Sequence, residues 1–257
     1  MFAPVGIVAL RMAELAGTQG GLGRLVVVNW APEAIGLVRA LQGLGAGSLT
    51  LIGTHAAEAA EAALAGARAG GPVSYLVASV GEGVEAFAEH LGRVAEVGSA
   101  SSVIVLPHRG RGETDAFSRL TCTAIHRACR GQPPRIVVAV EDPEATHEFA
   151  GLGVTTIFYP GFLRAALLAH ACIDLGVLRF MLALLRGGLR VESWPVPAEL
   201  QGQSFREACA SVETDGAGRP VTLLGLFDAE RLMVVNPGPG RALAGATGLL
   251  VLTGQDT

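Results

Sequence analysis

Short continuous apolar runs alternate with helical patterns along the first 160 residues. Apolar runs of this kind are typical of strands that are buried on both faces of a parallel sheet. The predicted strands cover residues 25–30, 49–52, 73–79, 102–106, 135–140 and 154–159. The predicted helices cover residues 33–41, 56–69, 84–94 and 115–129, and a further helix starts at 143–149. This alternation predicts an α/β fold with a doubly wound parallel sheet and right-handed crossovers.

The pattern changes after Pro160, where a long apolar helical segment covers residues 162–185. The segment carries Asp174 and Arg179, and a charge at the middle of a bilayer costs roughly 2.5–3.5 kcal/mol on insertion scales. We therefore expect two helices with a break near 174–176 rather than a membrane span.

Short β-like runs follow the pair Gly187-Gly188 and are separated by clusters of turn residues. They cover residues 190–193, 221–227, 232–235 and 249–252. The chain from residue 189 therefore reads as a small β-rich (α+β) second domain, which is too short for a large core of its own.

Composition narrows the class of protein. Half of the residues are hydrophobic, 16% are charged and the mean hydropathy is +0.46, which excludes a disordered chain. The net charge is −4 and the basic residues are scattered arginines, which argues against a nucleic-acid partner. Four cysteines form no disulfide scaffold and fit a cytoplasmic protein, and the first 23 residues lack a secretory signal.

The first strand is not followed by the glycines that bind a dinucleotide. The turn reads Asn-Trp-Ala-Pro-Glu-Ala at 29–34, without the G-x-G-x-x-G that lets a backbone approach a pyrophosphate. The acidic residue expected after the second strand is also missing, because that segment reads Ile-Gly-Thr-His at 52–55. NAD is therefore not expected, and any cofactor at this turn would meet Asn29, Trp30 and His55.

Charged residues follow the fourth and fifth strands, whose carboxyl ends meet at one edge of the sheet, where open α/β folds bind ligands. The candidate ligand-binding residues are His108, Glu113, Asp115, Glu141 and Asp142, with Arg109 and Arg111 between the first two. Glu113, Asp115 and Glu141 are candidate ligands for Ca²⁺, which prefers oxygen donors. The alternative is a solvated loop with the acidic first turn of a helix, which the helix dipole favours.

Cys122, His126 and Cys129 share one face of the fourth predicted helix. This spacing permits a metal site, but a packed helix face with small apolar thiols is the favoured interpretation.

Three segments resemble the RCK family (regulator of conductance of K⁺, also called Trk/Ktr-type domains), the cytoplasmic gating domains of ligand-gated potassium channels. They are VVVNWAPEAIGLVRAL at 26–41, the helical segment at 153–185, and the C-terminal strands around the Pro/Gly turn NPGPG at 236–240. Residues 4–15 are similar to the cytoplasmic end of a pore-lining helix. The resemblance implies a linker at 1–23, a Rossmann-like N-terminal lobe at 24–160, a crossover at 161–188 and a C-terminal lobe at 189–257.

The resemblance implies a regulatory domain rather than an enzyme. Such lobes pair through the crossover helices, here about 162–186, and assemble into a ring of eight that pulls on a potassium channel pore. The chain would then act in the cytoplasm at the inner face of the membrane and respond to a small ligand or a cation.

The ligand does not carry over from the family. Calcium-gated members have two acids after the fifth strand with one residue between them. Here the residue two positions before Glu141 is Ala139, and the residue two positions before Asp142 is Val140. Binding of a cyclic dinucleotide by the C-terminal lobe is one alternative. Two further alternatives concern the whole chain. One is a Rossmann-type enzyme with His108 or His55 as general base. The other is a separate Trk/Ktr-like subunit that binds a nucleotide.

Overall fold

A computed structural model describes residues 22–67, 70–108, 114–185, 189–215, 218 and 220–254. The chain divides into an N-terminal unit, Gln19–Ala165, and a C-terminal unit built on Ala166–Thr257.

The N-terminal unit contains a six-stranded parallel sheet with the strand order β3-β2-β1-β4-β5-β6. Its strands are β1 (Gly23–Val28), β2 (Ala46–Gly53), β3 (Val73–Val77), β4 (Ser102–Val105), β5 (Arg135–Ala139) and β6 (Val154–Phe158). The strand order reverses at β1, which lies between β2 and β4, and this is the arrangement of a doubly wound Rossmann-like sheet. The predicted fold class is confirmed.

Helices cover both faces of this sheet. They are α1 (Ile35–Gly43), α2 (Ala57–Leu64), α3 (Val84–Arg93) and α4 (Thr114–Ala128). Alternate side chains of β1 point to opposite faces. Val27 is therefore buried in one cluster with α1 and α2, and Val28 in another with α3 and α4. This double burial explains why the strands read as continuous apolar runs.

Two predicted helices differ from the structure in detail. The segment predicted as a helix at 56–69 ends as an α-helix at Leu64, and the N–H of Ala67 then donates to the Leu64 carbonyl in a turn. The helix expected from Pro143 is a 3₁₀ helix, Pro143–Phe149, whose N-cap Asp142 accepts the N–H of Glu144 at 2.8 Å.

The apolar segment after β6 forms α5 (Pro160–Ile173) and α6 (Leu175–Leu185). The break falls at Asp174, as expected, and its carboxylate accepts the N–H of Gly176 at 2.7 Å. Among the described residues, no helix combines the length and the apolar character that crossing a membrane requires.

The C-terminal unit contains a four-stranded antiparallel sheet with the order β7-β10-β8-β9. Its elements are β7 (Leu189–Trp194), α7 (Phe205–Ser211), β8 (Val221–Phe227), β9 (Met233–Val235) and β10 (Gly248–Gly254). The short helix α7 covers one face of the sheet through the buried Phe205 and Ala208. It was not predicted, although Ser204 and Glu207 form an S-x-x-E capping box that marks a helix start.

Candidate ligand-binding cleft

A cleft of about 480 Å³ opens at the carboxyl edge of the parallel sheet. Its wall includes residues that directly follow β1, β4 and β5, so it lies where the strand order reverses. The polar side chains that line it belong to Asn29, His108, Thr114, Glu141 and Arg164. Its volume falls within the range of about 300–1,000 Å³ that is usual for small-molecule sites.

Asn29 fixes the geometry at the centre of this edge. Its φ of 61° lies in the left-handed region, which asparagine tolerates better than most residues. Its side-chain amide donates to the Leu106 carbonyl at 3.0 Å, and the N–H of Leu106 donates to the Val28 carbonyl at 3.0 Å. These two bonds hold the end of β1 to the end of β4, and the cleft opens beside them.

The carboxylate of Asp115 joins the start of α4 to the end of β5. One oxygen accepts the N–H of Glu141 at 2.9 Å, and the other accepts the N–H of Asp142 at 2.8 Å. The structure therefore brings Asp115, Glu141 and Asp142 together. However, Asp115 positions the loop after β5, and Glu141 is the acidic side chain of this group that lines the cleft.

His108 and Arg164 supply the basic side of the cleft. The His108 ring stacks on Phe117, with ring centroids 4.6 Å apart and planes 15° apart, so its position is fixed by α4. Arg164 lies on α5, and no ion pair joins it to another of the described residues. Sequence reasoning missed Arg164 because it belongs to no motif, and the helix that places it is distant in sequence from β1 and β4.

Trp30 and His55 do not line the described wall of the cleft. Trp30 is 1% exposed, and its ring packs edge-on against Tyr75 at a centroid distance of 5.6 Å. The Tyr75 hydroxyl donates to the His55 carbonyl at 3.0 Å, and burial raises the pKa of Tyr75. The assignment of Trp30 as a cofactor-binding residue is therefore corrected: its large ring belongs to the core between β1, α1 and α2.

The calcium site expected at Glu113, Asp115 and Glu141 stays a prediction. Glu113, like Arg109 and Arg111, lies outside the described residues, and both oxygens of Asp115 already accept backbone N–H groups. Asp142 serves as a helix cap. Within the described ranges, no group of three or more His, Cys, Asp or Glu side chains is arranged to hold a metal ion.

The Cys122 thiol is also a poor metal ligand. It is fully buried, and burial raises its pKa to about 12, so it stays protonated at neutral pH. This environment supports the interpretation of Cys122 as a packing residue of α4.

Comparisons with known proteins give matches to solved structures alone. No family model matches the sequence, and no curated protein matches it. The GsuK channel bound to NAD is 16% identical with a TM-score of 0.34, and the match covers 91% of this chain and 36% of that one. The GsuK RCK domain is 16% identical with a TM-score of 0.36, and the match covers 90% of this chain and 43% of that one.

A dehydrogenase matches about half of the chain. Shikimate dehydrogenase from Mycobacterium tuberculosis is 15% identical with a TM-score of 0.34, covering 53% of this chain and 45% of that one. The chain thus spans less than half the length of each of these three structures. The Rossmann-like fold of the N-terminal unit rests on its own strand order.

Proposed function

We propose that this chain is a ligand-sensing regulatory domain of the RCK type, which controls potassium transport through a channel and performs no catalysis. The observation that carries the proposal is that α5 bears both a wall of the cleft and an exposed apolar surface. A ligand in the cleft can therefore act on a surface that is suited to association.

The first part of α5 belongs to the cleft, which Pro160, Gly161 and Arg164 line. The same helix exposes large apolar side chains, with Leu168 63% and Ile173 81% exposed. Several large exposed apolar side chains on one helix are a feature of interaction sites. The partner we propose is a second copy of the chain, paired through α5 and α6.

The mechanism is a two-state equilibrium that the ligand biases. A ligand shifts such an equilibrium only by its difference in affinity for the two states. Moving it from mostly closed to mostly open takes about 5.5 kcal/mol of differential binding. A ring of coupled copies divides that requirement among several clefts, and the ring then acts on a channel pore at the inner face of the membrane.

The ligand we propose is a small molecule with one anionic group, of the size of a mononucleotide. The guanidinium of Arg164 suits a phosphate or a carboxylate. Glu141 suits hydrogen-bond donors such as an amino group or a ribose hydroxyl. A dinucleotide is disfavoured because the first turn lacks glycines and its Trp30 ring is committed to the core.

Calorimetric titration of the full chain with AMP, NAD⁺ and CaCl₂ tests the ligand class. We expect AMP to bind, and Arg164→Ala to weaken that binding by at least about tenfold because a charge-assisted contact is lost. Arg206→Ala is the matched control, since Arg206 is an exposed arginine on α7 that lines neither the cleft nor the proposed pairing surface. NAD⁺ binding as tight as that of AMP would contradict the proposed ligand size.

The enzymatic alternative assigns the role of general base to His108, which lines the cleft. His55 is less suited, since it does not line the described wall of the cleft. Chemical conversion of a bound probe that His108→Ala abolishes would favour the enzyme over the regulatory domain.

A further inference from the structure

The two edges of the antiparallel sheet in the C-terminal unit differ in how they are protected. The edge strand β9 has three residues and is followed by Asn236, which has a φ of 48°, and by Pro237. Short strands and proline are common devices that stop an edge from pairing with another chain. The opposite edge strand, β7, has six residues and no proline.

The strand β7 keeps a regular register along its whole length. Leu189 to Trp194 pair with Gly254 to Leu249 of β10 without a bulge. Within the described part of the chain, no backbone group of β7 pairs with a strand other than β10. Val191 is 46% exposed on one face, and Arg190 is exposed on the other. A regular edge of this length, unpaired among the described strands, is a template for another strand.

The sequence of β7 is complementary to itself in one register. A two-fold axis between two identical antiparallel strands places one residue opposite its own copy, and its neighbours opposite each other. With Val191 on the axis, Arg190 of each copy lies directly opposite Glu192 of the other, on the same face. Opposite charges in this position stabilise a strand pair.

Shifting the axis by one residue removes this complementarity. An axis at Glu192 places two glutamates opposite each other, and an axis at Arg190 does the same with two arginines. Like charges directly opposite each other destabilise a strand pair. Among these three registers, charge therefore selects the one that is centred on Val191.

We propose that β7 pairs with β7 of a second copy about an axis at Val191, so that two four-stranded sheets become one sheet of eight strands. This contact is separate from the surface of α5 and α6, and it does not depend on the function proposed above.

Cysteine cross-linking of the full chain tests the register. The exposed Cys172 and Cys209 are first replaced by serine, and Val191→Cys is then compared with Ser193→Cys under mild oxidation. Opposite residues of antiparallel strands have Cα atoms about 4.5–5.5 Å apart, within the range that a disulfide bridges. The two copies of residue 193 would lie about 13 Å apart, because four residues of strand separate them.

We expect Val191→Cys to form the cross-linked dimer at least about tenfold faster than Ser193→Cys, because the control distance exceeds disulfide reach. Equal rates for the two variants would overturn the proposal.

Charge reversal supplies a second, independent test of the same contact. In the Val191→Cys background, Arg190→Glu or Glu192→Arg places like charges opposite each other, and each should slow cross-linking by about fivefold. The double variant restores opposite charges, and its rate should return to that of the parent. A double variant as slow as the single ones would overturn the proposal.

Discussion

Two pairs of helices in this molecule use apolar side chains in opposite ways. Helix α4 is rich in polar residues, yet it buries five side chains, including the hydroxyl-bearing Ser118 and Thr121. Helix α5 is more apolar, yet none of its described side chains is buried, and Phe162 is 75% exposed. Apolar content therefore does not by itself identify the core of this protein.

The difference lies in what each helix packs against. Helices α3 and α4 lie on a sheet whose strands supply a continuous apolar face, so Leu91 and Ile125 are fully buried there. Leu168 and Phe180, on α5 and α6, remain exposed in the single chain. An apolar helix without a covering face is a surface that association would cover.

The largest expected effect is the difference in stability between truncating a leucine of α3 and truncating a leucine of α5. Leu91→Ala should lower the free energy of unfolding by about 2–5 kcal/mol, because it leaves a cavity in a packed core. Leu168→Ala should change the stability of the isolated chain by no more than about 0.5 kcal/mol, because its side chain is exposed. Urea unfolding of both variants, at a protein concentration low enough to keep the chain monomeric, measures the difference.

The two tryptophans allow each unit to be followed separately. Trp30 and Leu91 lie in the N-terminal unit, and Trp194 and Leu168 lie in the C-terminal unit. Leu91→Ala is therefore followed in a Trp194→Phe background, and Leu168→Ala in a Trp30→Phe background. Equal losses of stability at both leucines would break the contrast between the two helix pairs.

A smaller effect is expected where α4 begins. Asp115→Ala removes the carboxylate that accepts the N–H groups of Glu141 and Asp142. The free energy of unfolding should fall by about 1–3 kcal/mol, as is usual when hydrogen bonds to a charged group are lost. Leu120→Ala is the matched control, because Leu120 is exposed on the same helix. An unchanged stability would show that Asp115 does not anchor the loop after β5.

The N-cap of α7 extends the comparison to the C-terminal unit. Like α4, and unlike α5, this short helix buries side chains in a core. Ser204→Ala removes one partner of the capping box and should cost about 1 kcal/mol. Trp194 fluorescence in a Trp30→Phe background measures the change in the C-terminal unit. Ser211→Ala, at the exposed end of the same helix, provides the comparison and should cost less.

The smallest effect concerns pH. The backbone N–H of Ser204 donates to the carboxylate of Glu207, and so does the Ser204 hydroxyl. The N–H has the larger effect, and together the two bonds lower the pKa of Glu207 below its ordinary value of 4.5. The charged form is thus favoured in the folded state, so its contribution to stability is present above pH 4.5 and is lost as the pH falls through the lowered pKa. Glu207→Gln should reduce the change in unfolding free energy with pH in this range. Urea unfolding at pH values from about 3 to about 6, roughly 1.5 units on each side of the ordinary pKa, measures the effect.

The sequence predicted the parallel sheet well because its strands are buried on both faces, which leaves an unambiguous apolar run for each. The break at Asp174 was also predictable, since a charge and a glycine interrupt the apolar pattern there. Trp30 was assigned less well, and Arg164 was not named at all. Whether Trp30 faces the cleft or the core depends on Tyr75 from another strand, and Arg164 reaches the cleft through packing between distant elements.

The light-scattering mass of the full chain tests the central claim, which is that α5 and α6 carry an association surface. At tens of micromolar we expect a mass of at least about 53 kDa, twice the chain mass of 26.3 kDa. The double variant Leu168→Asp and Phe180→Asp should lower this mass, because each change places a charge in the apolar contact. A mass of 26.3 kDa for the unaltered chain at this concentration would contradict the claim.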